Sequence, residues 1–268
     1  MIKRLRGVDL GAATWGDGST LVVLLHAFPM DARMWSDTAP FLTQPAGGGA
    51  GRRVVALDFR GFGESRGTEP ATNLKTLADD VAALLDDAGA ATATVVGLSM
   101  GGYVALAFAQ RHAARLAGLV LADTRAGADG PEGRRKRDEG IALVRSRGAA
   151  AFAEATVPKL LAPEAEDAVR TRISAVAAEQ PPESVAAALA AMRDRPDRTG
   201  DLSAITCPTL IVVGALDTVT PPEESRKMAA AIPGARLVEI PGAGHLANLE
   251  ASDAFNAAVA SFLTSVSR

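Results

Sequence analysis

The sequence is poor in cysteine, histidine and aromatic residues. Its single cysteine, Cys207, excludes a disulfide within the chain and favours a reducing, cytoplasmic location. Because Cys207 lies at the start of a predicted strand, we expect a packed, inert thiol rather than a nucleophile. No group of histidine, cysteine and acidic residues has the spacing of metal ligands, and no phosphate- or dinucleotide-binding glycine motif occurs. We therefore predict a protein without a metal or cofactor.

The chain also lacks an excess of one charge and a convincing membrane segment. Its 28 basic and 31 acidic side chains give a net charge of −3, which argues against nucleic acid or an anionic membrane as a partner. No apolar stretch follows the basic N-terminus, so we expect no signal peptide. The longest uncharged run, residues 88–110, contains four glycines. A strand, a turn and a buried helix explain this run better than a membrane span.

Six continuous apolar, β-rich runs predict strands that are buried on both faces, as in a parallel sheet. Segments with helical spacing lie between most of them, which predicts right-handed crossovers and a doubly wound, mostly parallel α/β fold. The predicted strands are residues 21–25, 53–59, 92–97, 116–123, 208–214 and 235–240. The predicted helices are residues 30–42, 74–88, 100–112, 222–232 and 252–264.

One long segment interrupts this alternation of strands and helices. Residues 125–201 contain no convincing strand, only alanine-rich and charged helical patterns. An all-helical insertion between two strands is typical of a lid over the edge of a sheet. We therefore predict a core made of residues 1–124 and 202–268, with residues 125–201 forming a helical cap.

A lone serine between glycines is the strongest motif. The segment Gly97-Leu98-Ser99-Met100-Gly101 matches the G-x-S-x-G nucleophile elbow, with a predicted strand before it and a predicted helix after it. Such a turn holds the serine in a strained conformation with its hydroxyl above the sheet, and the two glycines prevent a clash across the turn. The alternative is a serine that merely caps the helix. We predict that Ser99 is a nucleophile.

A serine hydroxyl needs a base to accept its proton, and the sequence offers three histidines. His26 directly follows the first predicted strand and is placed to build a loop. His112 ends the helix after Ser99, about three turns away. His245 follows the last predicted strand, at the carboxyl ends of the strands, on the same side of the sheet as Ser99. We therefore predict that His245 is the base.

The imidazole in turn needs a carboxylate that fixes its tautomer. Asp217 follows the penultimate strand, and the order Ser99, Asp217, His245 is that of the α/β-hydrolases. Asp123, which also follows a strand, is a competitor that could instead hydrogen-bond to loop backbone. We favour Asp217 as the catalytic acid.

The segment "HAFPM" after the first predicted strand supplies the remaining expected part, an oxyanion hole. We predict that the backbone N–H groups of Phe28 and Met100 bind the oxyanion, helped by the positive end of the helix after Ser99. The side chains of these two residues could equally be plain pocket wall. The predicted substrate pocket is lined by His26, Met30, Phe152, Val219 and Leu246.

Taken together, these motifs resemble those of the α/β-hydrolase superfamily over nearly the whole chain. Within it, the sequence is most similar to capped carboxylesterases and arylesterases, cofactor-free haloperoxidases and 3-oxoadipate enol-lactonases. The resemblance implies an α/β-hydrolase fold with a helical cap inserted after the sixth strand. One departure is Ala27, where the family usually has glycine. The matching segments are "HAFP" (26–29), "DFRGFGES" (58–65), "GLSMGG" (97–102), "GALDTVTPP" (214–222) and "GAGHLANLE" (242–250).

The leading functional hypothesis is a serine hydrolase that cleaves small-molecule carboxylic esters through an acyl-enzyme. A second hypothesis is the hydrolysis of an enol-lactone derived from a dicarboxylate, which would need a cation in the pocket such as Arg125 or Arg145. A third, from a different class, is a receptor that keeps a hydrolase pocket but binds its small ligand without steady-state turnover.

Overall fold

The computed structural model describes residues 2–5, 7–44, 49 and 51–266, and within them a single sheet of eight strands runs through the molecule. The order of the strands across the sheet is β1-β2-β4-β3-β5-β6-β7-β8. The first two strands are antiparallel to their neighbours, and the remaining six are parallel. The strands are β1 (Ile2–Leu5), β2 (Val8–Trp15), β3 (Thr20–Leu25), β4 (Arg52–Leu57), β5 (Ala93–Leu98), β6 (Leu116–Ala122), β7 (Thr209–Gly214) and β8 (Arg236–Ile240).

All six strands expected from the sequence are present, and the doubly wound, mostly parallel α/β fold is confirmed. The additional strands β1 and β2 were not predicted from the sequence. Both lie at one edge of the sheet, where only part of each strand is buried. A strand that is only partly buried does not need a continuous apolar run, so the pattern that reveals β3 to β8 is missing from these two.

Helices cover both faces of the sheet. Alternate residues of the central strand β3 belong to two separate apolar clusters: Val23 packs with α2 and α3, whereas Val22 packs with α1 and α9. This alternation follows from the pleat of a strand, whose successive side chains point to opposite faces. The helices are α1 (Thr38–Thr43), α2 (Leu74–Asp87), α3 (Met100–Arg111), α4 (Pro131–Thr156), α5 (Asp167–Ala178), α6 (Pro182–Arg193), α7 (Pro222–Ala231), α8 (Ala247–Glu250) and α9 (Ser252–Val266).

The segment between β6 and β7, which we call the helical insertion (residues 125–201), contains α4, α5 and α6. Every residue of the insertion is described, and none of them belongs to a strand. Its long first helix, α4, is interrupted at Gly148, where φ is 80°. Across the described part of the chain, no helix is both long enough and apolar enough to cross a membrane.

The parallel direction of β3 to β8 decides where functional side chains can meet. The loops that follow β3, β5, β6, β7 and β8 all leave the sheet on the same side, at the carboxyl ends of the strands. In open parallel sheets, the crevice outside the carboxyl ends of the strands is where ligands bind. Residues 26–30, Ser99, Asp123, Asp217 and His245 all lie in these loops.

Candidate active site

Ser99 occupies a sharp turn between β5 and α3. Its backbone has φ 55° and ψ −112°, a conformation that non-glycine residues rarely adopt and that costs about 1–3 kcal/mol. Two contacts hold it there: the N–H of Ser99 donates to the Ala122 carbonyl oxygen at 2.9 Å, and the Thr124 hydroxyl donates to the Ser99 carbonyl oxygen at 2.9 Å. The Ser99 side chain makes no capping hydrogen bond to α3. Its hydroxyl is therefore not used as a helix cap.

The two glycines around Ser99 are required by close backbone approaches. A Cβ atom at Gly97 would lie 2.3 Å from the Gly101 carbonyl oxygen, and one at Gly101 would lie 2.1 Å from the Leu25 carbonyl oxygen. Both neighbouring atoms are backbone atoms of the sheet or the turn, so they cannot rotate away. The crowding expected across the turn from the sequence is thus present in the structure.

Replacing Gly97 with alanine should therefore lower the free energy of unfolding by about 2–3 kcal/mol, because the turn must open to admit the new methyl group. Denaturant unfolding of the variant and the wild type measures this loss. Gly67→Ala is the matched control, since a Cβ atom at Gly67 meets nothing within 4 Å. It should stay within about 0.5 kcal/mol of the wild type. An equal loss in both variants would contradict the steric explanation.

Ser99, His245 and Asp217 form one hydrogen-bonded chain. The Ser99 Oγ lies 2.8 Å from His245 Nε2, and His245 Nδ1 lies 2.8 Å from Asp217 Oδ2. His245 and Asp217 are buried, and Ser99 is 8% exposed. The structure thus brings together the three residues that the sequence predicted as nucleophile, base and acid. In this arrangement Nδ1–H donates to the carboxylate, which leaves Nε2 free to accept the proton of the serine hydroxyl.

The carboxylate of Asp217 is held by its own loop. Its Oδ1 accepts hydrogen bonds from the N–H groups of Val219 at 2.8 Å and Thr220 at 2.9 Å, and its Oδ2 accepts one from the Thr220 hydroxyl at 2.7 Å. Burial alone would raise the pKa of Asp217, but the hydrogen bonds from His245 and Thr220 outweigh burial and hold the pKa below its usual value. Asp217 is therefore ionised and oriented towards the imidazole.

The loop that carries His245 is tied to the helical insertion, a connection that the sequence did not reveal. The N–H of His245 donates to the Leu160 carbonyl oxygen at 3.0 Å. The Glu250 carboxylate accepts from the N–H of Ala162 at 2.6 Å and from the N–H of Leu246 at 3.1 Å. Glu250 thus links the insertion to the histidine loop. The only feature of the sequence that marks Glu250 is its acidic side chain in the first turn of α8. Leu160 acts through its backbone carbonyl, which its residue type does not reveal.

Asp123, the competing acid, is used differently. It ends β6 with φ 44°, is completely buried, and accepts the N–H of Gly214 at 2.8 Å. Burial, together with the nearby carboxylate of Asp217, raises the pKa of Asp123 well above its usual value, which favours a neutral carboxyl. Within the described residues it makes no hydrogen bond to His245. Asp123 thus hydrogen-bonds to loop backbone, which is the alternative that the sequence left open for it.

The other two histidines also have separate partners. His26 is completely buried, with Nδ1 donating to the Ala27 carbonyl oxygen at 2.9 Å and Nε2 accepting the N–H of Phe59 at 3.1 Å. Burial lowers the pKa of His26 to about 4, so the ring is neutral and organises its loop. His112 lies at the end of α3 with its Nε2 2.8 Å from Asp79 Oδ1, far along the helix from Ser99.

The N–H groups of Phe28 and Met100 are free to serve as oxyanion donors. Met100 is the first residue of α3, where N–H groups lack intrahelical partners. Neither N–H takes part in a hydrogen bond within the described residues. Ala27, which replaces the usual glycine, is not among the non-glycine residues with positive φ, so it introduces no left-handed strain beside these donors.

A cavity of about 740 Å³ lies between the loops that carry Phe28 and Val219 and the helical insertion, and Ser99, Asp217 and His245 are not themselves among its lining residues. Phe28, Phe152 and Val219 line it, and the rings of Phe28 and Phe152 meet edge to face at 5.8 Å. The other three predicted pocket residues do not belong to its lining. Instead, Met30 and Leu246 are buried in the apolar cluster on the α1 and α9 side of the sheet, and His26 is buried between Phe59 and Phe62.

No cluster of three or more histidine, cysteine or acidic side chains suited to a metal ion occurs in the part of the chain that the structure describes. Cys207 is partly buried just before β7, and burial raises the pKa of its thiol, as expected of a packed side chain.

Comparison with known proteins agrees with this fold and places it in a family. The family model described as "Alpha/beta hydrolase family" matches residues 22–258. The chain belongs to the α/β-hydrolase family. This confirms the resemblance drawn from the motifs, and it makes hydrolysis the general chemistry of the protein.

Two proteins of known structure and one named relative are similar to this chain over most of its length. The chain is similar to a thermophilic esterase from Thermogutta terrifontis, with 37% identity and a TM-score of 0.91 over 99% of this chain and 98% of that one. It is also similar to the enol-lactonase from Burkholderia xenovorans LB400, with 30% identity and a TM-score of 0.89 over 98% of this chain and 100% of that one. RutD of Caulobacter sp. (strain K31), a provisionally named carbamate hydrolase, is 34% identical over 79% of this chain and 81% of its own length.

Proposed function

We propose that this α/β-hydrolase is a serine hydrolase that cleaves carboxylic esters through an acyl-enzyme. The observation that carries the proposal is the hydrogen-bonded chain from Ser99 through His245 to Asp217, with 2.8 Å at each step. The strained turn at Ser99 supports it further, because backbone strain of this kind collects at functional sites. The likeness to the Thermogutta terrifontis esterase supports the choice of an ester.

The proposed reaction has two halves. His245 Nε2 accepts the Ser99 proton while Oγ attacks the ester carbonyl, and the N–H groups of Phe28 and Met100 stabilise the oxyanion. His245 then gives its proton to the departing alcohol, which leaves an acyl group on Ser99. A water molecule, deprotonated by the same imidazole, releases the acid and restores the hydroxyl. Asp217 keeps the imidazole in the correct tautomer throughout.

We also propose that the helical insertion acts as a cap over the substrate. Its residues Phe152 and Leu160 line the cavity together with Phe28 and Val219 of the core. Because the backbone N–H of His245 donates to the Leu160 carbonyl oxygen, a shift of the cap would also move the base. Substrate selection would then depend mainly on residues 125–201.

Steady-state hydrolysis of p-nitrophenyl acetate, butyrate and octanoate tests the proposal. We expect turnover with a preference among chain lengths that reflects the depth of the cavity. Diethyl p-nitrophenyl phosphate should inactivate the enzyme with one phosphoryl group per chain, located on the Ser99 peptide by mass spectrometry. Turnover with the label on another residue would reject the mechanism. Tight ligand binding by a folded protein that turns over no ester or lactone would favour the receptor hypothesis.

A second candidate is the hydrolysis of a lactone, suggested by the likeness to the Burkholderia xenovorans enol-lactonase and by the cations of the cavity. Of the two arginines considered from the sequence, Arg125 lines the cavity, whereas Arg145 is exposed and pairs with Glu183 at 3.0 Å. Both candidate reactions use the same catalytic residues, so only the substrate preference can separate them. The measurement compares kcat/KM on an aliphatic lactone with kcat/KM on the acyclic ester of equal carbon number.

A further inference from the structure

The cavity between the core loops of Phe28 and Val219 and the helical insertion combines an apolar wall with an unusual group of charges. Its apolar part includes Phe28, Phe152 and Val219, next to the proposed oxyanion hole and acid loop. Its charged part comes from the start of the helical insertion, α4 and the segment after α4. Four cationic and two acidic side chains line it: Arg125, Lys136, Arg137, Lys159, Asp129 and Glu139.

Both acidic side chains of the cavity already have cationic partners. Asp129, whose side chain is 1% exposed, is contacted by three arginines: Arg125, Arg137 through Nε at 3.1 Å, and Arg195 through Nη1 at 2.8 Å. Glu139 pairs with Arg135, which does not line the cavity. Three guanidinium groups around one carboxylate leave an excess of positive charge at the cavity, in a chain whose net charge is −3.

The arginines of this group are not equivalent. Arg195 is almost fully buried, stacks at 4.2 Å on the Tyr103 ring, and donates to the carbonyl oxygens of Met192 and Gly127 at 2.8 Å each. Its role is structural. Arg137 is partly exposed and uses only Nε for a hydrogen bond, so its two Nη nitrogens make none within the described residues.

Lys159 adds a second available cation. It is exposed in the turn after α4, lines the same cavity, and has no ion pair or hydrogen bond among the described residues. A guanidinium fork with two free nitrogens matches the two oxygens of a carboxylate, and a lysine adds a point charge.

We propose that Arg137, with Lys159 in the lining of the same cavity, binds a free carboxylate of the substrate. The preferred substrates are then esters or lactones that carry a carboxylate away from the scissile carbonyl, such as monoesters of dicarboxylic acids. This inference rests on the proposed hydrolysis at Ser99 and adds the substrate class. It assigns a specificity role to the charged helix α4.

A pair of isosteric esters tests it directly. p-Nitrophenyl hydrogen adipate carries the carboxylate, and p-nitrophenyl 6-methylheptanoate has the same shape without the charge. We expect the wild type to favour the adipate ester in kcat/KM. Arg137→Gln should reduce kcat/KM for the adipate ester by about tenfold or more, mainly through KM, and leave the neutral ester within about twofold. Lys159→Gln should act in the same direction with a smaller effect.

Arg145→Gln is the control, because Arg145 lies on the same helix but pairs with Glu183 outside the cavity. It should change neither ester. Equal rates on both esters in the wild type, or equal losses on both in Arg137→Gln, would overturn the carboxylate site while hydrolysis at Ser99 stands.

A binding measurement separates this failure from a failure of the proposed function. Calorimetry with Ser99→Ala and the mono-N-methylamide of adipic acid, which keeps one free carboxylate, needs no turnover. We expect binding that weakens about tenfold in the Ser99→Ala, Arg137→Gln double variant. Absence of ester turnover with this dependence retained would reject the proposed hydrolysis but keep the anion site. Absence of any dependence on Arg137 would reject the anion site.

Discussion

Replacing Ser99 with alanine should reduce kcat on p-nitrophenyl butyrate by about 10⁴–10⁶-fold. The variant loses the oxygen that forms the acyl-enzyme in the proposed mechanism, while the proposed backbone donors of Phe28 and Met100 remain. Some rate above the uncatalysed reaction should therefore persist. Spectrophotometric release of p-nitrophenol, with the background rate subtracted, covers this range if enzyme concentrations are raised for the variant.

The fold of Ser99→Ala should be unchanged. Alanine and serine have similar difficulty with φ 55°, and among the described residues the Ser99 hydroxyl hydrogen-bonds only with His245. Thermal unfolding of both proteins checks this point. Ser146→Ala, a change of an exposed serine on α4, should retain full activity. A loss below about tenfold in a pure Ser99→Ala preparation would reject a covalent serine mechanism.

The parts of this fold that were predictable from sequence are those that local chemistry determines. Buried parallel strands need apolar side chains on both faces, so β3 to β8 appear as continuous runs. The Ser99 turn needs glycine on each side, and the loops after parallel strands must leave at one edge. These constraints led to the prediction of Ser99, His245 and Asp217 as a triad, and the structure places their side chains in one hydrogen-bonded chain. The antiparallel strands β1 and β2 were not predicted because each is buried only in part.

The pocket lining was the least predictable part. His26, Met30 and Leu246 stand beside functional residues in the sequence, yet their side chains point into the core, because consecutive residues of a loop face different directions. Of the charged cavity wall, the sequence analysis named only Arg125. Helix α4 is charged on most of its surface, and nothing in its sequence distinguishes Arg137, which lines the cavity, from Arg145, which does not.

The second large effect concerns the choice between two carboxyl groups. Replacing Asp217 with asparagine should lower kcat by about 10⁴-fold, since an amide in this position favours the wrong imidazole tautomer and removes the charge that stabilises imidazolium. Replacing Asp123 with asparagine should lower it by no more than about tenfold. Asp123 makes no hydrogen bond to His245 in the described part of the chain, and asparagine is close in shape to its neutral carboxyl. Ester hydrolysis at neutral pH compares the two variants.

The stability of the two variants should also depend on pH in opposite directions. The pKa of Asp123 is raised in the folded state, so that state binds the proton more tightly than the unfolded chain does. Its contribution to the free energy of unfolding is thus lost as pH rises from about 4, the ordinary aspartate pKa, through the raised value. Asp123→Asn should therefore gain on the wild type as pH rises. The pKa of Asp217 is lowered, so its contribution is complete above the ordinary value of about 4 and is lost as pH falls from there through the lowered value. Asp217→Asn should therefore lose ground on the wild type as pH rises through that more acidic range, and the difference should stay constant above it. Denaturant unfolding between acidic and neutral pH measures both trends.

If Asp123→Asn instead abolished activity and Asp217→Asn did not, Asp123 would be the catalytic acid.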